Sequence, residues 1–212
     1  MRIKSDMVFP TPNGLIDNPG NWSGRNFLDD NQWVTHWSKQ ALAELFAAIE
    51  AVKKSGKTVP HFTKQDFPLP SLEDELQAIR ADLEVDNGFS LIRGIPSNEL
   101  SEYEAEILFW GLMVHLGHPM TQNAKGHVLG HVRDLGLDIN DTKVRNYQTT
   151  EELFFHNDSC DVLMLMCRQV AKSGGRSRLA SIPALFNAMW TDDAALTVEL
   201  FKPFSFDRRG EP

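Results

Sequence analysis

A histidine two residues before an aspartate, His156 and Asp158 in the run FFHNDSC, can hold a divalent metal. On an extended strand, residues i and i+2 point to the same face, so the imidazole and the carboxylate can converge on one ion. A second histidine from elsewhere would complete a facial triad of two histidines and one carboxylate. That triad leaves coordination positions open and suits ferrous oxygen chemistry. The pair alone does not carry the reading. With seven histidines and 29 acidic residues in the chain, roughly one His-x-Asp or His-x-Glu arises by chance.

The surroundings carry more. An apolar run, Leu153, Phe154 and Phe155, leads into the pair, and a second, Asp161 to Cys167, follows it. Then comes Gly174-Gly175-Arg176-Ser177, a turn that sets a hydroxyl at the start of the next segment. A ligand carboxylate could accept from that hydroxyl. Arg145, Tyr147 and Thr149 alternate before the motif. If their run is a strand they share a face, either lining a cosubstrate or substrate pocket or forming an ordinary half-exposed surface.

Several elements must position these groups. Residues 1 to 37 are expected as an irregular arm with Trp22 and Trp33 as anchors. Ser38 to Ser55 repeats apolar residues at helical spacing and stops at Gly56. Pro60, Pro68 and Pro70 mark a linker. Ser71 with Asp74 suits the start of a second helix, which ends near Gly88. Phe89 to Arg93 reads as a strand, and Ser101 with Glu104 forms a capping box for a helix running to about Leu116. The pattern then changes to short β-like runs: Val128 to Val132, Lys143 to Gln148, Leu153 to His156 and Asp161 to Cys167. The run containing Met164 and Met166 predicts a strand buried on both faces. Ser181 to Trp190 and Asp192 to Leu200 predict two more helices. Helices, then strands, then helices predict an α+β fold with a β core at 117–180 between helical parts at 38–116 and 181–200.

Composition excludes some classes. The net charge of −8 argues against a nucleic-acid phosphate binder, which needs a basic face. The opening MRIKSDMVFP has no apolar signal region, and the apolar window Ile107 to Leu116 is too short to span a bilayer, so a cytoplasmic protein is expected. Cys160 and Cys167 fit no disulfide framework and are expected as buried free thiols. His127 and His131 have a helical zinc spacing, but Gly126 and Gly130 oppose a helix there, and no carboxylate or thiol stands at a suitable position in sequence.

The stretch VRNYQTTEELFFHNDSCDVLMLMCRQVAKSGGRSRLASIPALFNAM, residues 144 to 189, resembles the taurine dioxygenase-like (TauD/TfdA) family, particularly its clavaminate synthase-like members. The order is the same: a strand into His-x-Asp, an apolar strand, a Gly-Gly-x-Ser/Thr turn, another strand, then a helix. GFSLIRGIP, residues 88 to 96, looks like the family's opening strand.

The resemblance implies a double-stranded β-helix, or jelly roll, with flanking helices. It implies an Fe(II)- and 2-oxoglutarate-dependent dioxygenase that uses O2 on a small, amino-acid-like substrate. His156 and Asp158 match the first two iron ligands, and Ser177 matches the Ser or Thr that donates to a 2-oxoglutarate carboxylate. The family's distal histidine ligand and carboxylate-clamping arginine lie well downstream of the Gly-Gly turn. Here 35 residues follow Ser177, none of them His, and Arg208 and Arg209 come too early. The chain therefore reads as truncated at its C-terminus, with the jelly roll incomplete. The alternative is a catalytically inactive family remnant acting as a binding module.

Overall fold

Ser38, with extended backbone, accepts the Ala41 amide on its hydroxyl and opens helix α1, Lys39–Ser55. Gly56, at φ 71°, closes it in the left-handed conformation and returns its N–H to the Lys53 carbonyl. The computed structural model describes residues 12–29, 33–122, 126–141, 144–158 and 160–205. The start of the arm (1–11), residue 143 of the expected 143–148 run, and Arg208 and Arg209 lie outside them.

Strand β1, Val34–His36, precedes α1 and pairs in parallel with β2, Leu91–Arg93, in the register Val34 to Leu91 and His36 to Arg93. Helix α2, Glu73–Glu84, lies between them. The expected Ser71 cap does not form. A 3-10 turn at Pro70–Leu72 leads into α2, and the Ser71 amide and hydroxyl both donate to the Glu44 carboxylate on α1. A long-range acceptor has outcompeted the local cap. The proline-marked stretch is likewise more than a linker: Phe62, Phe67, Leu69 and Leu72 are all buried.

Helix α3, Glu102–Leu116, begins with the expected capping box. Apolar on nearly all sides, it runs through the core. Ile107, Leu108, Trp110 and Leu112 meet Leu45, Ile49 and Val52 of α1, Leu76 and Ile79 of α2, and the buried linker aromatics in one cluster. Two polar atoms of α3 are satisfied by linker carbonyls. Trp110 Nε1 donates to Phe62 O at 3.0 Å, and His115 Nε2 lies 2.7 Å from Phe67 O. No helix among the described residues is long and apolar enough to cross a membrane.

Helix α4, Ile182–Asp192, is capped by Ser181, and α5, Ala194–Glu199, by Asp193. The arm ties α4 to the rest of the molecule. Ile16 N donates to Asn187 Oδ1 at 2.7 Å, Asn187 Nδ2 returns a bond to Ile16 O at 2.8 Å, and Ser181 Oγ donates to Gly20 O. Trp22, Phe27, Trp33 and Phe89 form an edge-on aromatic cluster with centroids 5.0 to 6.3 Å apart, while Val34–His36 of the expected irregular 1–37 is strand β1.

Among the described residues, β1 and β2 form the only sheet, and 117–180 carry no strand. An extended run becomes a strand only when a neighbour takes up its backbone groups. Around 126–148 that pairing is fragmentary: Arg133 N donates to Tyr147 O and Leu135 N to Gln148 O. The Met run alternates. Met164 and Met166 pack on the core, while Leu163 and Leu165 are exposed, so it is covered on one face, not both. Cys160 and Cys167 are free but exposed rather than buried.

Candidate metal centre

Residues 151–158 run exposed, and local bonds shape their approach to the metal pair. Asn146–Gln148 is a 3-10 turn, closed by Gln148 N to Arg145 O and Thr149 N to Asn146 O. This corrects the expectation for Arg145, Tyr147 and Thr149. The run is not a strand here, so the strand geometry that would set Arg145, Tyr147 and Thr149 on one face does not apply. Asn146 and Thr149 favour the turn because they bond locally; Thr149 Oγ1 donates to Asn146 O at 3.0 Å.

The chain then delivers His156 and Asp158 together. His156 Nδ1 lies 2.7 Å from the Phe154 carbonyl oxygen. A carbonyl can only accept, so Nδ1 carries the proton and the lone pair of the neutral ring sits on Nε2. That nitrogen lies 3.8 Å from Asp158 Oδ1. Two donors at bond lengths of about 2.1 Å and a right angle stand about 3.0 Å apart, so the pair needs only a small closure to chelate an ion. Both side chains are about half exposed, so a metal can reach them. A backbone carbonyl bonded to the far imidazole nitrogen is a standard way to fix the coordinating tautomer. One imidazole nitrogen and one carboxylate oxygen thus stand close enough to share a divalent ion after a small closure.

The segment after the pair is held to the helical core. Ser97 Oγ donates to Cys167 O at 2.6 Å, and Arg168 donates to the carbonyls of Ser97 and Leu100, just before α3. Burial first, then the Asp158 and Asp161 carboxylates, pushes the Cys160 thiol above its usual range.

The Gly-Gly turn forms as the sequence requires, with Gly174 at φ 71° and Gly175 at φ 67°. A Cβ on Gly175 would also meet Ala171 Cβ at 2.9 Å. Ser177 follows, exposed. Arg178 then reaches back. It donates to Glu152 Oε1, and its guanidinium carbon lies 5.2 Å from the centre of the Phe155 ring.

A second donor group lies elsewhere. Glu102 and Glu106, one turn apart on α3, face His131, with Nε2 3.1 Å from Glu106 Oε1 and Nδ1 3.7 Å from Glu102 Oε1. Sequence spacing around the histidines misses it because both partners sit on a distant helix. Their i,i+4 spacing on the exposed side of α3 is the signal that could have suggested them. Arg133 already donates to Glu102 at 2.5 Å and holds that carboxyl below its usual range. The group is therefore a charge network with its own cation.

The family model for "Taurine catabolism dioxygenase TauD, TfdA family" matches residues 51–211. The chain is 29% identical over 191 residues to the FR-33289 synthase of Streptomyces rubellomurinus (strain ATCC 31215), which covers 90% of this chain and 56% of that protein. It is 28% identical over 181 residues to the taurine hydroxylase-like protein SAT17 of Stachybotrys chartarum (strain CBS 109288 / IBT 7711), covering 82% of this chain and 47% of that one. The chain thus spans about half the length of the curated relatives it matches.

Proposed function

This chain belongs to the taurine catabolism dioxygenase TauD, TfdA family, and from that premise we propose that it is part of an Fe(II)- and 2-oxoglutarate-dependent oxygenase acting on a small molecule. In this reading His156 and Asp158 hold the metal and Ser177 donates to a carboxylate of 2-oxoglutarate. The observation that carries it is the hydrogen bond from His156 Nδ1 to Phe154 O. It leaves the Nε2 lone pair free, with Asp158 Oδ1 3.8 Å away. Ferrous iron and 2-oxoglutarate, when bound, would let O2 act as the four-electron oxidant, with two electrons coming from the decarboxylating cosubstrate and two from the second substrate. The protein's share is preorganisation: a fixed tautomer, a paired carboxylate and a hydroxyl after a glycine turn.

A second histidine and an arginine for the far carboxylate would complete this half-site. The family's double-stranded β-helix also gives the exposed apolar residues a role. Leu153, Phe154, Phe155, Val162, Leu163 and Leu165 all stand in solvent here, and they are the residues such a core would cover. One relative is named taurine hydroxylase-like. That name supports hydroxylation of a small, amino-acid-like substrate with O2.

The test is anaerobic titration of the full-length protein with Fe(II) and 2-oxoglutarate, followed by visible absorption. A weak charge-transfer band is expected in the wild type and is lost in His156→Ala and Asp158→Ala. A band that survives both changes, or never forms in the intact protein, overturns the assignment.

A further inference from the structure

The segment that carries His156 and Asp158 lacks a strand neighbour among the described residues, and the Arg178 side chain reaches it from the position after Ser177. We propose that Arg178 is a positioning residue that fastens the two segments together. This rests on the roles given above to His156, Asp158 and Ser177.

Arg178 follows Ser177 directly, and its targets, Glu152 and Phe155, end one residue short of His156. One side chain thus links the neighbour of the cosubstrate hydroxyl to the neighbour of the first metal ligand. Arginine suits both contacts. A planar guanidinium can bond a carboxylate through its edge while lying over a ring with its face, whereas a lysine ammonium offers only a point charge. The cation is already engaged by Glu152, so Arg178 acts through placement rather than as a ligand of the cosubstrate. Both partners of the ion pair are largely exposed, so the contact contributes little to global stability. Its effect belongs to the distance between the metal pair and Ser177.

The experiment uses full-length protein and the variants Arg178→Ala, Arg178→Lys and Glu152→Gln. Three quantities are measured: Fe(II) affinity without cosubstrate, 2-oxoglutarate affinity of the Fe(II)-loaded protein under anaerobic conditions, and amide hydrogen exchange at 152–158 in metal-free protein. Arg178→Ala is expected to weaken 2-oxoglutarate binding about fivefold, to leave Fe(II) affinity within about twofold, and to speed exchange at 152–158. Arg178→Lys should recover part of the loss. Glu152→Gln discriminates between placement and direct binding. It weakens 2-oxoglutarate binding if Arg178 positions, but tightens it if Arg178 is itself a ligand that Glu152 restrains.

Tightening in Glu152→Gln, unchanged 2-oxoglutarate affinity in Arg178→Ala, or equal losses of iron and cosubstrate affinity each overturn the inference while the metal assignment stands. A wild-type protein that binds neither Fe(II) nor 2-oxoglutarate removes both readings. If Arg178→Ala does not fold, the lysine and Glu152→Gln variants decide.

Discussion

Gly111 sits in the middle of α3 with the Phe67 ring against it. A Cβ built at that position would lie 2.6 Å from Phe67 Cδ1 and Cε1 and 2.7 Å from Cγ, where ordinary contact begins at 3.4 Å. Gly111→Ala therefore sets two effects in opposition. Alanine in a helix interior is favoured over glycine by about 1 kcal/mol. Against that, the new methyl overlaps three ring carbons by about 0.8 Å, on the steep repulsive side of the contact potential. Phe67 has little room to retreat. It is fully buried, stacked on Phe62 with centroids 6.2 Å apart, and its carbonyl is bonded by His115. Overpacking costs about 1–3 kcal/mol, and overlap with three ring carbons at once belongs to the upper part of that range, about 2–3 kcal/mol, so the clash outweighs the propensity gain. The net loss should be about 1–2 kcal/mol, or a Tm lower by about 2–8 °C. Thermal unfolding followed by circular dichroism reads it directly. Because Phe67 and Gly111 lie in the helical core, Fe(II) binding by the folded variant should be unchanged. A variant as stable as wild type would show that Phe67 and α3 do not pack as described. Lost iron affinity in a fully folded variant would show that the core and the metal pair are more tightly coupled than the contacts imply.

Two further outcomes are expected. Lys53 first, and Ser101 after it, hold the Glu104 carboxyl down to about 2 from an ordinary 4.5. A depressed carboxyl contributes stability that is full above about pH 4.5 and lost as pH falls toward 2. The ion pair is partly exposed, so the loss across that window should be about 0.5–1 kcal/mol. Glu104→Gln should flatten this part of the Tm-versus-pH curve, and an unaltered curve would refute it. Ser177→Ala, if Ser177 serves the cosubstrate, should raise the KM for 2-oxoglutarate about tenfold while leaving Fe(II) affinity unchanged, as expected for one lost hydrogen bond to a charged group. Equal effects on both would assign Ser177 to the metal or to folding.

The helices were the most legible part of the chain because their signals are local. Ser38, Ser101 and Ser181 each cap within three residues, and Gly56 terminates α1 by its own backbone freedom. Ser71 misled because its partner, Glu44, lies 27 residues away on another helix. Pro60, Pro68 and Pro70 suggested a linker, yet the aromatics among them are core; proline constrains the backbone but says nothing about where the neighbouring side chains go. The strands of 117–180 were over-read. Alternation in sequence specifies two faces, as Met164 and Met166 against Leu163 and Leu165 show, but a ladder needs a partner that sequence does not supply. The closeness of His156 and Asp158 was legible because they stand two residues apart in sequence. The Glu102, Glu106 and His131 group was not, because contact across elements leaves no local spacing.

The reciprocal clasp between Asn187 and Ile16 joins positions 171 residues apart. At ribosomal elongation rates of 5–20 residues per second, about 10–35 s separate the synthesis of its two halves. During that interval residues 16–20 must wait without their final partner, while Trp22 and Phe27 can already settle on Phe89. Formation of this clasp is thus deferred until α4 emerges, which makes this corner a late step in folding during synthesis.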